Sequence, residues 1–203
     1  MKVLFLVLFL ALLSGCATRK KDEGHPSGLH IAEVKPNKWT AITKQNLLLL
    51  TQVYDLDSFL FTKKVKIESR VIPHSHPVLT LNTRNAENPN KLLSVFLHEQ
   101  LHWWLNKNSS NTLLAIKELK KKFPKAPVTR SLGADSTHLH LIVCYLELAA
   151  LNHYLGKKDG RETVYDIMKR DKIYPWIYYQ VLFRGKRIRE VVKKYKLLPP
   201  PLS

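Results

Sequence analysis

Two histidines and a glutamate lie within one short segment of the sequence, HEQLH at residues 98–102. On a helix, His98 and His102 are four positions apart, so their side chains emerge on one face, one turn from each other. Two imidazoles in this arrangement can occupy two corners of a tetrahedral zinc site. Glu99 would project beside the metal, where a carboxylate can hold and deprotonate a water molecule. The spacing therefore indicates metal-assisted hydrolysis.

The residues around this motif strengthen the interpretation. The run NKLLSVFLHEQLHWWLN is apolar almost all round a helix, which is typical of a central helix. Two imidazoles and a carboxylate placed there lose their hydration at a cost of several kcal/mol unless something compensates for it. A metal ion supplies that compensation. The alternative is a Glu–His pair that satisfies itself in the core.

A catalytic zinc ion needs a third protein ligand and an open position. The second apolar run, STHLHLIVCYLELAALNHYLG, places His140, Cys144 and Glu147 on one helical face. Glu147 is a second acid among apolar residues, with no Lys or Arg nearby in sequence, so the same desolvation argument applies to it. His140 and Glu147 are two turns apart, roughly 10 Å, so the two are not expected to bind one ion. Cys144 is expected to be a small buried residue.

Together, these two segments resemble the zincin metallopeptidases, and within them the gluzincins, over roughly residues 60–155. In that family the HExxH helix packs on a later helix, whose Glu is the third zinc ligand. The resemblance implies that His98, His102 and Glu147 bind zinc (Zn²⁺) and that Glu99 is the catalytic base. The chain departs from the best-known pattern at Leu151, where the family has an acidic residue.

His140 has two interpretations that stay open at this level. It is the rival third ligand, in place of Glu147. If Glu147 binds the metal, His140 is expected to be catalytic, donating a hydrogen bond to the developing oxyanion. Tyr178 and Tyr179 are further candidates for that role, although simple aromatic packing is the simpler explanation for them.

The resemblance also assigns a role to the strand before the motif helix. In zincins an edge strand in this place pairs with the extended backbone of the substrate. PVLTLNTR at 77–84 occupies this place, and His74 and His76 just before it either line the cleft or are ordinary surface residues.

The N-terminus has the layout of a secretory signal, with Lys2 followed by an apolar run. Leu13-Ser14-Gly15-Cys16 resembles a bacterial lipobox, which implies removal of residues 1–15 and lipid, such as palmitate, on Cys16. Ala17 after the cysteine favours the periplasmic side of the outer membrane. Residues 16–38 are then expected to be the lipidated cysteine and a flexible tether, and residues 39–198 a single domain.

The chain has a formal net charge of +17, and its basic residues are spread over several clusters. Such a charge favours anionic partners. No nucleic-acid-binding motif accompanies the charge, so nucleic acid is not expected as a partner. An anionic envelope polymer is the partner that fits a tethered protein, and solvated helix faces are the alternative explanation.

Apolar periodicity and chain breakers predict an α+β fold that is mostly helical, with a small sheet. The resemblance implies a zincin-like domain in which the motif helix packs on a second long helix. The sequence thus predicts a zinc metallopeptidase that hydrolyses amide bonds of peptide or protein substrates in the bacterial cell envelope. A peptidoglycan amide hydrolase and a non-catalytic envelope-binding lipoprotein are the alternatives. The predicted strands are 64–69 and 77–84, and the predicted helices are 40–54 (with Thr43 as a possible cap), 88–105, 112–122, 138–155, 161–170, 175–183 and 186–196.

Overall fold

The computed structural model describes residues 28–128 and 134–203 of the chain. The expected signal segment, the lipobox and Cys16 lie outside these residues. The described part is mostly helical with one small sheet, which confirms the α+β expectation at this level. Its elements in chain order are β1 (His30–Val34), α1 (Lys38–Val53), β2 (Lys64–Glu68), β3 (Leu79–Leu81), α2 (Pro89–Lys107), α3 (Ser109–Lys122), α4 (Ala134–Arg170) and α5 (Pro175–Lys194).

The sheet has three parallel strands in the order β1-β2-β3. Strand β2 alternates exposed lysines with buried Val65 and Ile67, so one of its faces belongs to the core. Strand β1 was not predicted and lies inside the range assigned to the tether. Strand β3 keeps only three residues of the predicted 77–84, all of them buried, because the chain turns towards α2 after Leu81.

Helix α2, which carries the motif, begins as local chemistry predicts. The Asn88 side chain accepts a hydrogen bond from the Lys91 amide at 3.0 Å, and Pro89 occupies the first helical position, where its missing N–H costs nothing. The helix continues to Lys107, two residues past the predicted end. Its apolar side chains reach the core on nearly every side, because it packs against α1, β3, α3 and α4.

Helix α4 contains a break that separates it into two halves. Gly156 has φ 80° and ψ 159°, a backbone conformation that is essentially restricted to glycine. The predicted end at Gly156 is therefore a change of direction, after which residues 157–170 form a second helical half. Gly160 in that half lies against the backbone of Leu151 and Asn152, so the two halves are in close contact.

Several helix ends differ from the prediction. Thr43 does not cap α1; Asn37 does, through a reciprocal pair of hydrogen bonds with Thr40. Helix α3 begins at Ser109 rather than Thr112, directly after α2. The predicted helices 175–183 and 186–196 form one helix, α5, with a single non-helical residue at Arg184. After α5, Pro200–Leu202 forms a 3₁₀ turn.

The contact at Gly160 predicts a specific effect on stability. A methyl group there would lie 2.6 Å from Asn152 Oδ1 and 2.9 Å from the Asn152 amide nitrogen, so the helix halves would have to separate. We expect Gly160→Ala to lower the free energy of unfolding by about 1–3 kcal/mol. Urea unfolding followed by circular dichroism measures the change.

Gly185→Ala is the matched control, because the nearest atom to its added methyl group is 3.9 Å away. We expect this variant to stay within about 1 kcal/mol of the wild type. An equal loss in both variants would refute the close approach of the two halves.

Candidate metal centre

Three imidazoles meet where α2 crosses α4. His98 and His102 come from α2 and His140 from α4, and the possible ligand atoms of the three lie within 4.8 Å of one another. Their ring centroids are 5.1 Å apart for His98–His102, 5.7 Å for His98–His140 and 5.0 Å for His102–His140. The four-residue spacing on α2 is thus completed by a histidine from the neighbouring helix.

Hydrogen bonds orient two of the three rings. His98 Nδ1 donates to a carboxylate oxygen of Glu147 at 2.8 Å, and His140 Nδ1 donates to the backbone carbonyl of Ser136 at 2.7 Å. Nδ1 donates in each ring, so Nε2 is the nitrogen that can bind a metal. In His140 this Nε2 accepts a hydrogen bond from the Tyr174 hydroxyl. His102 has no hydrogen-bond partner among the described residues. Three imidazole nitrogens, two of them set by a partner on the other nitrogen, fit a zinc ion.

Glu147 is buried to 1% exposure and touches His98 rather than the middle of the three-histidine cluster. Its carboxylate also accepts hydrogen bonds from the hydroxyl of Ser94 and from that of Tyr178, the latter at 3.2 Å. Glu147, His98 and Cys144 form a second group with metal-binding donors, but the atoms of Glu147 and His98 that would serve there are already bonded to each other.

Burial and mutual repulsion keep two of the imidazoles neutral. Burial, together with the nearby His98, His140 and His76, lowers the pKa of His102 to about 2. Burial and His98 lower the pKa of His140 to about 4, against a smaller opposite effect of the Ser136 carbonyl. Burial also lowers the pKa of His98, but its contacts with Cys144 and Glu147 outweigh burial and raise the pKa overall. Neutral imidazole is the form that binds a metal.

Glu99 follows His98 on α2 and is buried to 6% exposure. It lines a cleft of about 290 Å³ together with His98, Tyr174 and Tyr178. The Glu99 side chain has no hydrogen bond to any described residue, and burial raises its pKa. Glu99 is therefore a buried acid at the cleft whose carboxylate has no hydrogen-bond partner among the described residues.

Tyr174 is a site residue that the sequence analysis missed. Its hydroxyl donates to His140 Nε2 at 3.0 Å, and its ring stacks on the His140 ring at 4.5 Å. Ser94, which binds Glu147, was missed as well. No spacing rule identifies Tyr174, because the α4–α5 turn brings it to the site from 34 residues beyond His140.

Side chains of α2 fix the motif helix to three distant segments. The Gln100 amide exchanges two hydrogen bonds with the backbone of Thr62, at 2.9 and 2.8 Å. The indole N–H groups of Trp103 and Trp104 donate to the carbonyls of Ser75 and Leu197. These contacts set the rotation of α2 and, with it, the direction of the two histidines.

The strand before the motif helix is not open to a substrate backbone at its centre. Thr80 exchanges two backbone hydrogen bonds with His74, at 3.1 and 2.8 Å, on the side of β3 away from β2. His74 and His76 are exposed, and His76 stacks on the Trp103 ring. The backbone groups of Thr80 that an extended peptide would pair with are therefore already used.

No family model, curated protein or solved structure matches this chain. Among the described residues, none of the helices is both long enough and apolar enough to cross a bilayer. The geometry and chemistry of the histidine cluster are therefore the basis for assigning a function.

The positions of His140 and Glu147 predict different effects on metal binding. His140→Ala removes a donor from the three-histidine cluster, whereas Glu147→Gln removes only the charge behind His98. We expect Glu147→Gln to weaken zinc binding about 10–100-fold and His140→Ala to weaken it further. Competition with a chromophoric chelator measures both affinities.

Glu162→Gln, an exposed change of the same type, is the control and should bind zinc like the wild type. A larger loss in Glu147→Gln than in His140→Ala would make Glu147 the ligand.

Proposed function

We propose that this protein is a zinc metallopeptidase that hydrolyses amide bonds of peptide or protein substrates in the bacterial cell envelope. The observation that carries the proposal is the cluster of His98, His102 and His140, in which His98 lines a cleft together with Glu99. The resemblance to zincins supports the hydrolase class, and the resemblance of residues 13–16 to a lipobox supports the envelope location.

His98, His102 and His140 are the ligands in this proposal. The resemblance alone gave the third place to Glu147, but the Glu147 carboxylate is occupied by Ser94, His98 and Tyr178. Its role is to hold the His98 ring with Nε2 turned to the metal, as carboxylates behind metal-binding histidines do. A zinc ion held by three imidazoles polarises a carbonyl and makes a water acidic near neutral pH.

The remaining chemistry belongs to residues of the cleft. Glu99 takes the proton from the attacking water and passes it to the leaving amine. This proton transfer needs a carboxylate that has no other partner. The Tyr174 hydroxyl is hydrogen-bonded to His140 Nε2. From this position the hydroxyl can rotate and donate instead to the oxyanion that forms from the amide carbonyl. The Tyr178 hydroxyl is committed to Glu147 and supports the His98 ring from behind.

The main test is Glu99→Gln. We expect purified wild-type protein to carry one zinc per chain and Glu99→Gln to keep that zinc, because glutamine has nearly the same volume and Glu99 is not a ligand. Hydrolysis of fluorescent casein and of a quenched peptide library should fall about 10²–10⁴-fold.

Glu162→Gln serves again as the exposed control and should keep full activity. Wild-type protein that folds but takes up no zinc would refute the proposal. Zinc uptake without hydrolysis would favour the non-catalytic envelope-binding lipoprotein instead.

The role of Tyr174 predicts a separate effect. Tyr174→Phe removes the hydroxyl and keeps the ring that stacks on His140, so we expect unchanged zinc content and a fall in kcat of about 10²–10³-fold. Steady-state kinetics of the zinc-loaded proteins measures it. Tyr179→Phe, an exposed change on α5, should leave kcat unaltered. A loss of zinc in Tyr174→Phe would mean that the hydroxyl only supports the fold of the site.

A further inference from the structure

Two arginines line the cleft that contains His98 and Glu99. Arg84 belongs to the segment between β3 and α2, and Arg170 is the last residue of α4. We propose that they bind a carboxylate of the substrate and so make this cleft selective for acidic peptides. This inference rests on the proposed peptidase function and names its substrate class.

Neither guanidinium has a partner among the described residues. No hydrogen bond or ion pair of either side chain is present there, and both residues are exposed. Arginine is the side chain whose planar fork fits a carboxylate with two parallel hydrogen bonds. Two such groups facing one cleft, each with its charge uncompensated, are therefore available to an anionic ligand.

Apart from Glu99, the other acidic and basic side chains that line the cleft already have partners. Lys91 pairs with Asp166 at 3.7 Å, so these two largely cancel. Asp171 accepts hydrogen bonds from the backbone amides of Ile173 and Tyr174, both at 2.6 Å, where the start of α5 offsets its negative charge. Besides the Glu99 carboxylate, what remains in the cleft is the positive charge of the two arginines.

The protein backbone holds both arginines in place. The Arg84 amide donates to Asn82 Oδ1 at 3.1 Å, and the Asn82 amide group donates to the carbonyl of Val71, so this wall is tied to the loop before β3. Arg170 reaches the cleft because the chain changes direction at Gly156 and returns along the first half of α4. The fold thus brings two arginines that are far apart in the sequence to the same cleft.

A peptide offers a carboxylate from two sources, its chain end or an Asp or Glu side chain. The experiment uses three acetylated penta-alanine peptides: one with a free C-terminus, one amidated, and one amidated with Glu at the centre. Their binding is measured by calorimetry in the Glu99→Gln background, so turnover does not interfere. The acidic peptide that binds more tightly than the neutral amide shows which carboxylate the cleft recognises, that of the chain end or that of the Glu side chain.

We expect one of the acidic peptides to bind about tenfold more tightly than the neutral amide. Adding Arg84→Gln and Arg170→Gln together should reduce that ratio to about one without changing the affinity for the neutral amide. Adding Arg187→Gln, which removes an exposed charge of α5 outside the cleft, should keep the ratio.

Equal binding of all three peptides would overturn the inference, and so would a preference that survives loss of both arginines. Hydrolysis by the wild type is measured in parallel. A preference that depends on the two arginines in a protein without peptidase activity would leave the carboxylate site standing and remove the proposed function.

Discussion

The hydrogen bond between the His98 imidazole and the Glu147 carboxylate is the interaction on which the site depends. Both groups are buried, and each would cost several kcal/mol in the core without a partner. Because one lies on α2 and the other on α4, their pairing sets how these two helices meet. Ser94 and Tyr178 complete the carboxylate's partners, so the chain satisfies it without a metal.

That pairing also explains how polar groups survive inside so apolar a helix. The bond uses Nδ1 of His98 and leaves Nε2 directed away from Glu147, towards His102 and His140. Burial then keeps the imidazoles of His102 and His140 neutral, which is what a metal site requires. The apolar packing around the motif therefore keeps these imidazoles in the neutral form that can bind a metal.

How far the sequence predicts the fold differs from element to element. The start of α2 was predicted correctly because Asn88 and Pro89 act within one turn. Strand β1 was missed because its five residues gain their stability from pairing with β2, more than thirty positions away, and no local pattern records this. At Gly156 the breaker was recognised, but its consequence was not. A glycine at positive φ ends one helical direction, and only packing decides where the next begins.

The residues of the candidate site also fall into two groups, those that local sequence predicts and those that depend on packing. By itself the sequence determined the two motif histidines, Glu99 between them, and a second helical face carrying His140 and Glu147, because these follow from spacing along single helices. Tertiary structure decided that His140 lies beside both motif histidines and that Glu147 is hydrogen-bonded to His98. It also brought Tyr174, Arg84 and Arg170 to the cleft. The physical reason is that candidates two turns apart on one helix are equivalent in sequence, and only the crossing of α2 over α4 separates them.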